Sequence, residues 1–382
     1  MSLLYEFAVL GAPSKAQLDE LRAIVEQAIK PFGLRIGHEV LWLDRPAIFS
    51  PDQRHAAVAV FFGGIDAPAG NVEVLMRRGV PVIPVVSNVS KVQQEIPTML
   101  QPLNCLDYSK GEAQRVATAL LECVGLLPRQ RRIFLSYRRE EARQAAVQLF
   151  ESLSSRLFDV FLDTHSISVA EDFQAMLWHR LCDSDVLVML DTPTYFNSRW
   201  TSAEFGRALS KGVSVLRIGW PGVAPSIRTA TASQIELLQE EIDTDTGKIT
   251  NDVIARICTK LESVRVESHA VRNINLVSNL RNAIEQIQGR IIGFGVHKSV
   301  QVQLADGREV MVYPTVGVPT STTLHDASQN APNKSVAVVY DHIGLHPRWL
   351  AHLDWLGSHI SSARWVKSCE AAWQFSDWED RK

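Results

Sequence analysis

Short apolar strands alternate with amphipathic helical stretches through the first two thirds of this chain, and the whole alternation comes twice. A strand that is apolar throughout must be covered on both faces, and a helix with one apolar stripe must lay it on a sheet, so the pattern implies α/β units built on parallel sheets. In the first unit the strands are LLYEFAVL (3–10), AAVAVFF (56–62) and VPVIPVV (80–86), with helices at 14–30, near 71–78 and at 111–126. Ser14 is the expected N-cap of the first helix, which sets Leu18, Leu21, Val25, Ala28 and Ile29 on one face. In the second unit IFLSY (133–137), DVFLD (159–163), DVLVML (185–190) and VSVLRI (213–218) alternate with helices over 139–157, 170–182, 201–210 and 250–265. The two units also align with one another. GNVEVLMRRGVPVIPV (70–85) lies over AEFGRALSKGVSVLRI (203–218) at a constant offset of 133, which sets Gly79 on Gly212 and Asn71 on Glu204. AAVAVFF lies over SDVLVML once the intervening loop is shortened by five residues. The expected fold class is therefore α/β, with two consecutive flavodoxin-like parallel-sheet Rossmannoid units followed by a third, α/β segment.

Composition narrows the partners. Lys and Arg number 39 against 42 Asp and Glu, a net charge of −3, which leaves no broad basic surface for nucleic acid. Apolar runs are strand-sized, so no membrane partner is expected, and MSLLYEFAVLGAP has neither the basic start nor the long apolar stretch of a signal peptide. The five cysteines (Cys105, Cys123, Cys182, Cys258, Cys369) are scattered and show no C-x2-C spacing. They read as reduced thiols of a cytoplasmic protein without a zinc site. LLPRQRR (126–132) breaks the pattern as a linker, giving expected domains at 1–128, 131–267 and 270–382. The last opens with a helix at 275–287 and continues with VQVQLADGREVMVYP (300–314), whose Asp306-Gly307 pair signals a hairpin.

The chemistry concentrates in the second unit. In an open parallel sheet, the loops after the strands line the ligand crevice. Ser136-Tyr137-Arg138-Arg139-Glu140 ends the first strand, and DTPTYFNSRW (191–200) leads from the central strand into the helix carrying Glu204. Paired guanidinium groups in a cleft suit a pyrophosphate, and a carboxylate opposite them suits a developing positive charge or ribose hydroxyls. Tyr137, Phe173, Tyr195, Phe196 and Trp200 offer rings for stacking.

IFLSYRR, then FDVFLD, a loop ending in EDF, SDVLVMLDTPTYFNSRW and WTSAE, in that order, resemble a Toll/interleukin-1 receptor (TIR) domain over about residues 131–266. FLSYRR is similar to the first box of the sterile-alpha-motif TIR NAD hydrolases, and Trp200-Thr201-Ser202-Ala203-Glu204 is similar to the family's W-C-x-x-E motif with Thr201 in place of Cys. The resemblance to the bacterial NAD hydrolase type implies an NAD+ glycohydrolase or ADP-ribosyl cyclase. Glu204 would then be catalytic, with Ser136, Tyr137, Arg138, Arg139, Asp163, Phe173 and Trp200 around the substrate. NAD+ would be substrate rather than cofactor, with no metal. The resemblance further implies side-by-side assembly of TIR domains and a triggered role in anti-phage defence.

Plainer readings stand beside these. TIR scaffolds hydrolyse nothing, and in them this Glu is only a helix residue. Arg138 and Arg139 would then cap the following helix or face solvent, Asp163 would stabilise a turn, and Trp200 would belong to the core. The first unit resembles a TIR-like or nucleoside-deoxyribosyltransferase-like Rossmannoid, but Asn71 stands at the carboxylate's place and Gly11-Ala12-Pro13 replaces the Arg-Arg pair. Glu73, two residues on, points elsewhere around the helix, so this copy reads as catalytically silent. In the third segment His342, His346, His352 and His359 read as ordinary hydrogen-bonded histidines. Trp349, Trp355, Trp365, Trp373 and Trp378 read as a small core. By elimination this segment is the expected regulatory module, taking a small-molecule or protein trigger.

Overall fold

The computed structural model describes residues 3–103, 105–108, 113–127, 130–162 and 171–378, with the backbone alone for residues 89 and 171–175. The chain is α/β throughout. In the first sheet β1 (Tyr5–Gly11), β2 (Val40–Asp44), β3 (Ala56–Phe62), β4 (Val82–Val86) and β5 (Leu106–Asp107) run parallel in the order β2-β1-β3-β4-β5. Helices α1 (Lys15–Ile29), α2 (Val72–Arg77), α3 (Val92–Glu95) and α4 (Ala113–Cys123) alternate with them. Ser14 caps α1 as expected. Its hydroxyl accepts from Gln17 N at 3.2 Å and the Gln17 side chain accepts from Ser14 N at 2.8 Å, which satisfies two donors of the open first turn.

The second sheet repeats that topology. Here β6 (Arg132–Ser136), β7 (Asp159–Leu162), β8 (Val186–Asp191), β9 (Ser214–Gly219) and β10 (Ser233–Glu236) run parallel in the order β10-β9-β8-β6-β7. Helices α5 (Arg139–Ser154), α6 (Glu171–Asp183) and α7 (Arg199–Ser210) accompany it, as does the first part of α8 (Asn251–Gln286), whose Val253, Ile257 and Leu261 enter its core. The unbroken apolar run of β8 has its expected cause. Val186, Val188 and Leu190 enter one core with Leu149 and Ile257, while Leu187 and Met189 enter another with Phe205 and Val215. Each such side chain contributes roughly 1.5–3 kcal/mol by leaving water.

The third sheet is mixed. β11 (Arg290–Phe294), β12 (Val300–Gln303) and β13 (Glu309–Thr315) pair antiparallel, then β14 (Ser335–Tyr340) and β15 (Arg364–Lys367) continue parallel. Helices α9 (Ser321–Asn330), α10 (Pro347–His359) and α11 (Ala371–Ser376) complete it. The Asp306-Gly307 signal marks the β12–β13 turn, where Gly307 takes φ 87°. By contacts the chain divides into Met1–Leu127 with Asn273–His342 and Leu350–Lys382, and Pro128–Arg272 with Ile343–Trp349.

Three expectations change. The helices expected at 250–265 and 275–287 are one element of 36 residues, α8, because nothing between Asn251 and Gln286 is Gly or Pro to break it. The edge strands β2, β5 and β10 escape the periodicity, since a strand that buries one face over a few residues leaves little pattern. The tryptophans do not form one core. Trp378 is buried and stacks on Phe375, whereas Trp355 is 57% exposed and Trp373 59%.

Candidate functional site

The site residues gather where the second sheet changes direction. The chain leaves β6 for β7 on one side and returns to β8 on the other, so the loops after β6 and β8 meet at the switch point on the carboxyl edge of the sheet, the place where open parallel sheets receive ligands. Ser136 ends β6, Asp191 ends β8, and α7 brings Glu204 to the same edge. Ser136 Oγ donates to Glu204 Oε2 at 2.5 Å and lies 2.7 Å from the Tyr195 hydroxyl. All three side chains are buried. Burial, with the charge of Glu204 beside it, pushes the Tyr195 phenol well above its ordinary range.

The approach of α7 is fixed locally. Ser198 is its N-cap and accepts from Trp200 N at 3.3 Å. The Thr201 hydroxyl, at the place of the family's Cys, donates to the Tyr195 carbonyl and, at 3.2 Å, to that of Ser198. A threonine thus ties the first turn of α7 to the loop before it, as a side-chain donor bonding back to earlier carbonyls does.

The loop after β6 grips the loop after β8. Arg138 Nη1 donates to the Thr194 carbonyl at 2.9 Å, and its other edge pairs with Glu140 at 2.9 Å. Glu141 accepts from Thr194 Oγ1 at 2.7 Å and from Thr194 N at 3.3 Å. Burial raises the Glu141 pKa, but the donors of the Thr192–Thr194 turn and the Arg138 charge outweigh it and hold the carboxyl below its ordinary range.

Of the sequence-predicted residues, Ser136 and Glu204 are in direct contact, and Arg138 stands over the same turn. Arg139 is half-buried in the first turn of α5, and Tyr137 packs into the core that holds Leu135 and Leu190. Trp200 is half-buried with the Arg199 guanidinium 4.4 Å above its ring. Asp163 lies outside the described residues, and the side chain of Phe173, in the first turn of α6, does too.

Two features of this edge escaped the sequence. Arg217 on β9 is fully buried, with Nε donating to Asp191 Oδ2 at 2.5 Å, Nη2 to the Val223 carbonyl at 3.1 Å, and Nη1 to Glu236. Burial nevertheless raises the Asp191 pKa above its ordinary range, the Arg217 charge offsetting only part of it. An arginine inside an apolar strand (VSVLRI) was the available signal, because a buried guanidinium requires an acidic partner. The second feature is Tyr195, whose hydroxyl rather than its ring meets the site.

In the first sheet Asn71 holds the position matching Glu204, and its amide is spent on the backbone. Nδ2 donates to the Phe49 carbonyl at 2.6 Å and Oδ1 accepts from Phe49 N at 3.1 Å. Glu73 is exposed and faces Arg77 at 3.7 Å.

Residues 133–246 match the model of the TIR domain family, so the chain carries a TIR domain in its second sheet. No curated protein matches the chain. Among the described residues no helix is long and apolar enough to cross a membrane. Nor do the described residues hold a cluster of three or more His, Cys, Asp or Glu suited to a metal ion.

Proposed function

We propose that the TIR domain cleaves the bond between nicotinamide and ribose in NAD+, with Glu204 as the catalytic carboxylate. The observation that carries this reading is the placement of Glu204, an acidic side chain seated at the switch point of a parallel sheet and tied to the end of its first strand. A carboxylate held by hydrogen bonds in a largely dry setting stabilises positive charge far better than one in water. In NAD+ that charge develops on the ribose as the C–N bond breaks and its electron pair leaves with neutral nicotinamide. Water then adds to the anomeric carbon and loses a proton, giving ADP-ribose. Attack by an adenine nitrogen gives a cyclic product instead. Arg138 and Arg139, beside the same loops, are suited to the pyrophosphate. Ser136, Tyr137, Asp163, Phe173 and Trp200 complete the proposed surroundings. NAD+ is substrate here, and the scheme needs no cofactor.

The same reading extends to the whole chain. TIR domains associate with one another, so activity is expected in a homo-oligomer. The first sheet serves as a silent copy and the third as the seat of a small-molecule or protein trigger. The cell would use this in the cytoplasm as anti-phage defence, through NAD+ loss or a cyclic signal.

Incubation of the protein with NAD+, alone and fused to an oligomeriser, followed by mass analysis of products, tests the reading. Nicotinamide with linear or cyclic ADP-ribose is expected, and Glu204→Gln should lower its release by at least ~100-fold. Silence of the wild type in both forms would leave the TIR domain as a scaffold, the other role compatible with it. Full activity of Glu204→Gln would remove Glu204 from the chemistry.

A further inference from the structure

Tyr195 is completely buried, its ring edge-on to Phe196 at 5.1 Å and packed with Phe134, Leu187 and Met189. That packing leaves the ring no face for a ligand and directs the hydroxyl at Ser136, 2.7 Å away. Ser136 carries a single proton and donates it to Glu204 Oε2. Tyr195 must therefore be the donor in its own contact with Ser136, and the bonds run in one direction, Tyr195 to Ser136 to Glu204.

We propose that Tyr195 and Ser136 form a two-step hydrogen-bond relay that fixes Glu204 in position as an acceptor carboxylate. On the reading of Glu204 given above, this makes Tyr195 a positioning residue for glycosidic cleavage. The phenol suits the task because it keeps its proton, its ionisation being opposed by burial and by the neighbouring carboxylate. Asp191, which also acts on the phenol, is held by Arg217, and Arg138 is bonded at Thr194.

The test compares Tyr195→Phe, Ser136→Ala and the double variant in the full chain. Tyr195→Phe removes one oxygen and keeps the ring, so kcat should fall about 5- to 10-fold while KM stays within about 2-fold. Because the two bonds act in series, the double variant should be no slower than Ser136→Ala alone. Unchanged kcat in Tyr195→Phe, or losses that multiply in the double variant, would overturn the relay. A readout independent of turnover separates this from failure of the proposed function. The 13C carboxyl resonance of Glu204, assigned with Glu204→Gln, should move in Tyr195→Phe. If the wild type does not cleave NAD+ but this resonance shifts, the relay stands and the reaction does not. If the resonance stays in place, the relay falls.

Discussion

Replacing Arg217 by Met tests the reading of the buried charges at the carboxyl edge. Methionine keeps most of the apolar stem and so leaves little cavity. What is lost is the partner of Asp191, which is itself buried, and the donor to the Val223 carbonyl. Glu236 is half in solvent and costs little when released. Stranding a buried charge costs about 3–5 kcal/mol, which in a unit of this size corresponds to a fall of roughly 6–20 °C in the thermal midpoint. The pH dependence follows from Asp191. Its folded pKa is raised, so its contribution is most favourable when it is protonated and deteriorates as pH rises through the folded value. Without Arg217 that value climbs further. Scanning calorimetry of the full chain should therefore show a larger deficit at neutral than at mildly acidic pH, and Asp191→Asn in the same background should restore part of it. A deficit below about 1 kcal/mol, or one that does not shrink in acid, would refute the assignment.

Asn71→Ala should destabilise the first sheet by about 1–3 kcal/mol, through two lost bonds to the Phe49 backbone, while leaving any NAD+ turnover unchanged. Denaturant melts and a turnover assay on the same sample check both halves. Gly11→Ala should be among the most damaging single changes in that sheet. Gly11 sits at φ 79° and an added Cβ would lie 2.1 Å from the Phe62 carbonyl oxygen, so a loss above about 2 kcal/mol is expected from the melting curve. The folded pKa of Glu141 is lowered, so its grip on Thr194 is fully present above the ordinary carboxylate range and is lost as pH falls through the folded value. The stability gap between wild type and Glu141→Gln should accordingly close on acidification, as read from melts at stepped pH.

The architecture of the first two sheets was legible because it rests on local pattern. Unbroken apolar strands such as VLVML and one-faced helices such as α1 can satisfy their burial in few ways, and the offset between the two copies carried one topology into both. FLSYRR and WTSAE likewise exposed the TIR domain, since order and spacing along the chain are enough to recognise it. Short edge strands and the uninterrupted α8 were less legible, because a strand of a few residues has almost no period and a helix without a breaker has no visible end.

What the sequence determined by itself was therefore the class of each unit and the residues that the loops after its strands would present. The tertiary structure alone decided what those residues do to one another. Ser136 meets Tyr195 across 59 positions and Glu204 across 68, and Arg217 meets Asp191 across 26. Tyr195 was legible as an aromatic, but only packing shows that its ring is walled in and its hydroxyl is the working end. Asn71 was legible as a missing carboxylate, but only its two bonds to Phe49 show that the amide has become part of the backbone framework. Hydrogen bonds depend on direction and on the loss of competing water, and both are settled when distant strands and helices close around the same few atoms.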